Sequence, residues 1–230
     1  MKDFLLNSLY FGLTISVGTY FIGMKLKKRF KLAIFNPLLV SAVLTVIILS
    51  VFKIDFQTYN ESAKYITYLL TPATVCLAVP LYEQLELLKK NLFAVLISIF
   101  AGVMTSSVSI LLMCILFKMD KTWYITLLPK SITCAMGIGV SGELGGIETI
   151  TVAAIVFTGI FGNIAADFIL KLFRVKNPIA KGLALGTSAH AIGTSKALEY
   201  GETEGAMSGL AIAAAGLMTV VVASVFVMFY

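Results

Sequence analysis

The chain has 230 residues, of which 59 % are hydrophobic and only 13 % carry a charge. An average soluble domain is about one quarter charged, so 18 basic and 12 acidic residues are too few to cover a globular surface. This composition excludes an ordinary soluble domain, a disordered chain and a disulfide scaffold. It indicates an all-α, polytopic integral membrane protein that forms a single domain over residues 1–230.

Charge-free runs predict the membrane spans, because a helix that crosses the roughly 30 Å hydrocarbon core needs about 20 apolar residues. Six runs of at least 18 residues occur, at 4–24, 32–52, 65–82, 91–117, 149–166 and 205–230. Two further runs, 131–142 and 182–195, are too short to cross as simple helices and are rich in Gly, Ser and Thr. Non-helical backbone at membrane depth persists only where it is buried in protein or lines a cavity. The two short runs, read as broken or re-entrant segments, are therefore the best candidates for a site.

Basic residues in the connecting loops predict the orientation of a multi-pass protein in the plasma membrane. If the six runs alternate, loops 25–31, 83–90 and 167–181 share one side and hold eleven Lys and Arg residues. Loops 53–64 and 118–148 share the other side and hold five. Cytoplasmic loops are enriched in Lys and Arg, so the first side is expected to be cytoplasmic, with both termini outside.

A weak internal repeat relates the two halves of the domain, 1–121 and 122–230. A shift of 57 residues places Pro72 on Pro129 and Glu86 on Glu143. The long span that follows each copy would run in opposite directions, which is the arrangement of an inverted repeat in many transporters. Coincidence among apolar residues explains the match equally well.

The first candidate for ligand contact lies in the third run, where Pro72 and Pro80 would kink or break the helix. Thr74 lies between these two prolines, and the freed carbonyl groups could bind a cation or a ligand. The alternative is that neighbouring helices simply tolerate the kinks.

The second candidate is the segment from Pro129 to Gly146, which contains Lys130, Ser131 and Thr133. Proline suits the first position of a helix, so the amides that follow it could face an anion, aided by the positive helix end. Lys130 would add a full positive charge, and the combination fits a carboxylate. Alternatively, Lys130 extends to the interface while the hydroxyls bond to the preceding turn.

The third candidate surrounds His190, which is the only histidine. Thr187, Ser188 and Thr194 lie close to it in the sequence and offer hydroxyl groups. A membrane-buried histidine is a candidate for proton coupling or for a hydrogen bond to a substrate. A histidine at the membrane interface, bonded to backbone, is the alternative. Farther on, Gly201, Gly205, Gly209 and Ala213 form a row of small residues that would permit close packing within or between chains.

Cysteine use and sequence motifs give no sign of catalysis. Cys76, Cys114 and Cys134 lie in apolar segments without a CxxC spacing, which is typical of small buried residues. No GxSxG, HExxH or Walker A sequence occurs. We therefore expect no enzyme, no cofactor and no metal site. The net charge of +6 comes from basic residues at segment ends, so no nucleic-acid partner is expected.

These motifs together resemble the LrgB/CidB family of bacterial membrane proteins over nearly the full length, nearer the CidB side. Three blocks carry the resemblance, at 72–82, at 127–133 with 141–146, and at 181–190 with 193–199 and 204–206, whereas Ala191 departs from the glycine that the family often has after the histidine. The resemblance implies transport of a small monocarboxylate such as pyruvate or glycolate, or antiholin-like control of murein hydrolase export and autolysis. It also implies a small membrane protein of the LrgA/CidA type as a partner.

Overall fold

The protein is described from a computed structural model, which covers residues 10–30, 35–69, 72, 76 and 82–230. These residues form helices and no β-strand, which confirms the all-α class. The chain divides into two compact units, Met1–Cys76 and Leu77–Tyr230. Much of the predicted run at 65–82 lies outside the described residues.

The first unit has three described helices, α1 (Phe11–Phe30), α2 (Pro37–Val51) and α3 (Phe56–Thr67). Hydroxyl groups join them: Ser16 Oγ lies 2.7 Å from the Tyr59 hydroxyl on α3, and Thr19 Oγ1 lies 2.9 Å from Ser41 Oγ on α2. Helices in membranes commonly pack through such small and hydroxyl residues. Helix α3 was not predicted, because it carries charged residues and so cannot form a charge-free run.

The second unit has six described helices, α4 (Leu85–Leu116), α5 (Lys121–Leu127), α6 (Cys134–Leu144), α7 (Glu148–Leu172), α8 (Pro178–Tyr200) and α9 (Glu202–Phe226). Its apolar core includes Val95 and Ile99 of α4 and Met207 of α9, all fully buried. The fully buried Tyr124 of α5 donates a hydrogen bond of 3.1 Å to the Phe226 carbonyl, which fixes α5 against the end of α9.

Three described helical segments are long and apolar enough to cross a membrane: Lys89–Leu116, Glu148–Leu172 and Glu202–Phe229. Large apolar side chains on their outer faces are exposed, including Phe93 (80 %) and Phe157 (72 %). An apolar outer surface of this kind is what a lipid environment favours. The predicted count of six spans and the predicted repeat are not established by these helices.

The predicted short run at 182–195 lies inside the longer helix α8, which continues past Lys181 and Lys196. Both lysines can enter the helix because each has an acidic partner. Lys181 Nζ lies 4.0 Å from Glu204, and Lys196 Nζ lies 3.1 Å from Asp167.

Helices α8 and α9 pack with their backbones in close approach. A Cβ atom at Gly182 would lie 2.4 Å from the Glu204 carbonyl oxygen, and one at Gly186 would lie 2.3 Å from that of Ser208. Small residues on both helices permit this approach, because a Cβ atom at Gly205 of α9 would also lie 2.3 Å from Leu198 Cδ2 of α8. In the row predicted for α9, Gly201 precedes the helix and Ala213 is exposed.

Candidate functional site

A cavity of about 640 Å³ lies in the second unit, between α4, α7, α8 and the turn after α5. Its walls are largely apolar, but they carry one set of polar side chains. These are Ser98, Thr105, Ser106, Ser109, Lys130, Ser131, Thr158, Thr187 and Ser188. A mostly apolar cavity with a few convergent polar groups is the usual form of a small-molecule site.

Lys130 supplies positive charge to this cavity from the turn between α5 and α6. Its ammonium donates hydrogen bonds to Ser131 Oγ at 3.0 Å and to Ser106 Oγ at 3.5 Å. The two serine oxygens lie 3.2 Å apart. In the described part of the chain, no carboxylate oxygen lies within 4.0 Å of the ammonium. Among the residues described, the lysine charge is thus solvated by neutral hydroxyl groups and not by a carboxylate.

One wall of the cavity is the hydroxyl-bearing face of α4, formed by Ser98, Thr105, Ser106 and Ser109. Sequence reasoning misses this face, because the charge-free run at 91–117 predicts only a membrane span. A signal was present, since Ser, Gly and Thr recur at 98, 102, 105, 106 and 109, which is helical spacing. Three of these hydroxyls donate to the carbonyl four residues earlier in α4, at 2.6–2.7 Å.

The opposite wall carries Thr187 and Ser188 of α8. Their hydroxyls also donate within their own helix, to the Leu183 and Ala184 carbonyls at 2.7 and 2.6 Å. A Cβ atom at Gly102 would lie 2.5 Å from Thr187 Cγ2. The glycine therefore allows α4 to touch α8 beside the cavity.

His190 lies behind the cavity wall and does not line it. It is 3 % exposed, and its Nε2 lies 3.0 Å from the Ile155 carbonyl oxygen on α7. Its backbone has φ 43° and ψ −136°, which breaks the helical geometry of α8. This conformation is rare for a residue with a side chain. A Cβ atom at Gly159 would lie 2.7 Å from the imidazole, so the glycine makes room for the ring.

The remaining predicted residues lie elsewhere. Thr133 is the N-cap of α6 but makes no side-chain capping bond. Pro129 precedes that helix and is not its first residue, because residues around it form a turn closed by the Ile132 amide on the Pro129 carbonyl. Thr194 is buried between helices, with its hydroxyl 2.7 Å from Ser208 Oγ on α9. Thr74 lies outside the described residues.

Long apolar helices around a cavity that holds a lysine ammonium define a helical membrane protein with a candidate anion site. Comparison with known proteins identifies the family. The family model described as LrgB-like family matches residues 16–229. The chain therefore belongs to the LrgB-like family and is a membrane protein, as the resemblance predicted.

Several named relatives match the chain along almost its whole length. It is 39 % identical to Antiholin-like protein LrgB of Bacillus mycoides (strain KBAB4) over 221 residues, which cover 96 % of each chain. Proteins of the same name from Bacillus cereus (strain B4264) and Bacillus anthracis (strain CDC 684 / NRRL 3495) are 38 % identical, with the same coverage. No solved structure matches the chain.

Proposed function

We propose that this protein binds a small organic anion, a pyruvate- or glycolate-like monocarboxylate, in the cavity around Lys130 and carries it across the plasma membrane. In this proposal the chain crosses the membrane several times. It acts as the LrgB-like subunit beside a small membrane protein of the LrgA/CidA type. The coupling ion is a proton.

The observation that carries the proposal is the solvation of Lys130 by Ser106 and Ser131 in place of a carboxylate. An ionised group away from bulk water is costly unless it is paired. An incoming carboxylate would supply the missing charge, and two serine hydroxyls stand beside the ammonium to orient it. One cation and two hydroxyls suit a single carboxylate better than a dianion.

The break in α8 supports a transport cycle. Transporters commonly bind substrate where a helix is discontinuous near the middle of the membrane. Here the break at His190 follows directly on Thr187 and Ser188, which line the cavity. In our proposal, the Nε2–H of His190 donates to the Ile155 carbonyl oxygen, and the free Nδ1 of the neutral ring takes up a proton from solvent as the two sides of the break move.

A second candidate function is antiholin-like regulation of murein hydrolase export and autolysis. It is favoured by the relatives, which are named antiholin-like proteins, a name that supports this function better than transport. The two functions predict different solute ranges, since a pore or pore regulator needs no specific anion site. Passage of large, unrelated solutes would favour this second function.

Uptake of labelled pyruvate, glycolate and lactate into proteoliposomes, with and without a proton gradient, tests the transport proposal. Lys130→Gln should reduce uptake or apparent affinity about 10- to 100-fold, which corresponds to the loss of a charge-assisted hydrogen bond. Lys121→Gln removes the same charge from α5 outside the cavity and should leave uptake unchanged. The proposal fails if the chain, reconstituted with its small partner, takes up none of these acids, or if Lys130→Gln behaves like Lys121→Gln.

A further inference from the structure

A second cavity, of about 300 Å³, lies at the turn between α7 and α8 and is rich in basic side chains. Its charged and phenolic lining consists of Asp167, Lys171, Arg174, Lys176, Lys181 and Tyr200. The family resemblance and the proposed transport function assign nothing to this cavity.

The acidic groups near this cavity are already paired. Asp167 lies 3.1 Å from Lys196 Nζ and accepts a hydrogen bond of 2.5 Å from the Tyr200 hydroxyl. Glu204 lies 4.0 Å from Lys181.

Three cations of the cavity are not ion-paired at contact distance within the described part of the chain, and Lys171 interacts with Asp167 only at longer range. Among the residues that the structure describes, no carboxylate oxygen lies within 4.0 Å of Lys171, Arg174 or Lys176. The cavity therefore presents an excess of positive charge from three side chains grouped around one depression.

The position of the cavity at the end of a candidate span indicates which kind of anion can reach it. Helix α7 is a candidate span that ends at Leu172, so the turn that follows lies where the hydrocarbon core meets the headgroups. Large apolar side chains beside it face outward: Phe168, Leu172 and Phe173 are 70 %, 60 % and 72 % exposed. A ligand there would meet cations and an apolar surface together. An anionic phospholipid complements both, because its phosphate is attracted to the cations and its acyl chains pack on the apolar surface. Free phosphate complements only the cations.

We propose that this basic cavity binds the phosphate headgroup of an anionic phospholipid, whose acyl chains lie against the exposed apolar side chains of α7. Basic cavities between membrane helices attract anionic headgroups, and each Lys or Arg near the surface contributes about 1 kcal/mol. The phosphate is the group recognised. Free phosphate could supply it too, so the test separates the two sources.

The test uses the full chain in neutral detergent and measures bound lipid by native mass spectrometry, with phosphatidylglycerol and phosphatidylcholine at equal concentration. The cavity variant combines Lys171→Gln, Arg174→Gln and Lys176→Gln. The matched control combines Lys53→Gln, Lys118→Gln and Lys121→Gln, which removes three exposed positive charges elsewhere. Thermal unfolding of both variants checks that each is folded. A parallel titration with inorganic phosphate, without lipid, tests the other source.

We expect phosphatidylglycerol adducts to be retained on the original chain and on the control. On the cavity variant, we expect their retention to be at least about tenfold weaker than on the original chain. Equal losses in both variants would show a general charge effect and overturn it. Equal retention of phosphatidylcholine would overturn it as well. Saturable binding of inorganic phosphate that displaces the lipid would assign the cavity to a soluble anion instead. If the cavity variant does not fold, Lys171→Gln alone against Lys121→Gln gives the same comparison.

Discussion

His190 is buried in a backbone conformation, φ 43° and ψ −136°, that residues with side chains rarely adopt. Within the described residues, its imidazole makes one hydrogen bond, to the Ile155 carbonyl on α7. The bond joins α7 to the break in α8, so the side chain and the strained backbone act at the same place. Substitution by glycine and by alanine removes the ring in both cases, so the difference between the two variants isolates the contribution of the backbone.

We predict that His190→Gly is more stable than His190→Ala, by about 1 kcal/mol of unfolding free energy. Both changes remove the imidazole, but glycine adopts the backbone conformation at low cost whereas alanine does not. Inside a regular helix the order would be reversed, because glycine is about 1 kcal/mol worse than alanine there. Thermal unfolding in detergent measures the difference, and a less stable glycine variant would contradict the break.

Sequence reasoning predicted some of the cavity residues but not their surroundings. The sequence predicts Lys130 and Ser131 as ligand contacts because Pro129 suits a helix start whose amides and adjacent lysine could face an anion, and both residues line the cavity. Their role in binding stays a prediction. Ser106 was missed because a serine within a long apolar run also fits simple helix packing. Only the fold brings it to the lysine, from 24 residues away.

The contact between α8 and α9 shows why element boundaries were harder to predict than element type. The missing charges predicted apolar segments at α4, α7 and α9, where long helices are present. The prediction of the ends of α8 was wrong, because the helix continues past Lys181 and Lys196, whose charges are compensated by ion pairs. These pairs join residues far apart in the sequence, so a search for charge-free runs cannot find them.

We predict that Gly186→Ala destabilises the protein by about 1–3 kcal/mol, as overpacking does. The new methyl group would lie 2.3 Å from the Ser208 carbonyl oxygen, a backbone atom of α9 that cannot move alone. Gly139→Ala in α6 is the control, since nothing lies within 4 Å of its Cβ position. It should be neutral or stabilising by up to about 1 kcal/mol. Midpoints of thermal unfolding compare the two, and equal midpoints would contradict the tight contact.

For the whole molecule, the distribution of basic residues predicts which ends of α4 and α7 face the cytoplasm. A cysteine at Lys176, after α7, should be protected from a membrane-impermeant maleimide in intact cells, and one at Lys118, after α4, should be labelled. Both are placed in a chain whose Cys76, Cys114 and Cys134 are replaced by alanine. Labelling of both sites after lysis is the control, and the reverse pattern in intact cells would invert the proposed topology.

The hydroxyls of the α4 and α8 walls have a consequence for selectivity. Ser98, Thr105, Ser109, Thr187 and Ser188 each donate their proton to their own helix. Toward the cavity they therefore offer lone pairs, which leaves a surplus of acceptors away from the lysine. A 2-hydroxy acid can supply a proton to such an oxygen, whereas a 2-oxo acid cannot. We expect lactate to compete for uptake about two- to tenfold better than pyruvate, the range of one neutral hydrogen bond. Equal competition would mean that these walls do not contact the ligand's second carbon, and that recognition ends at the ammonium group.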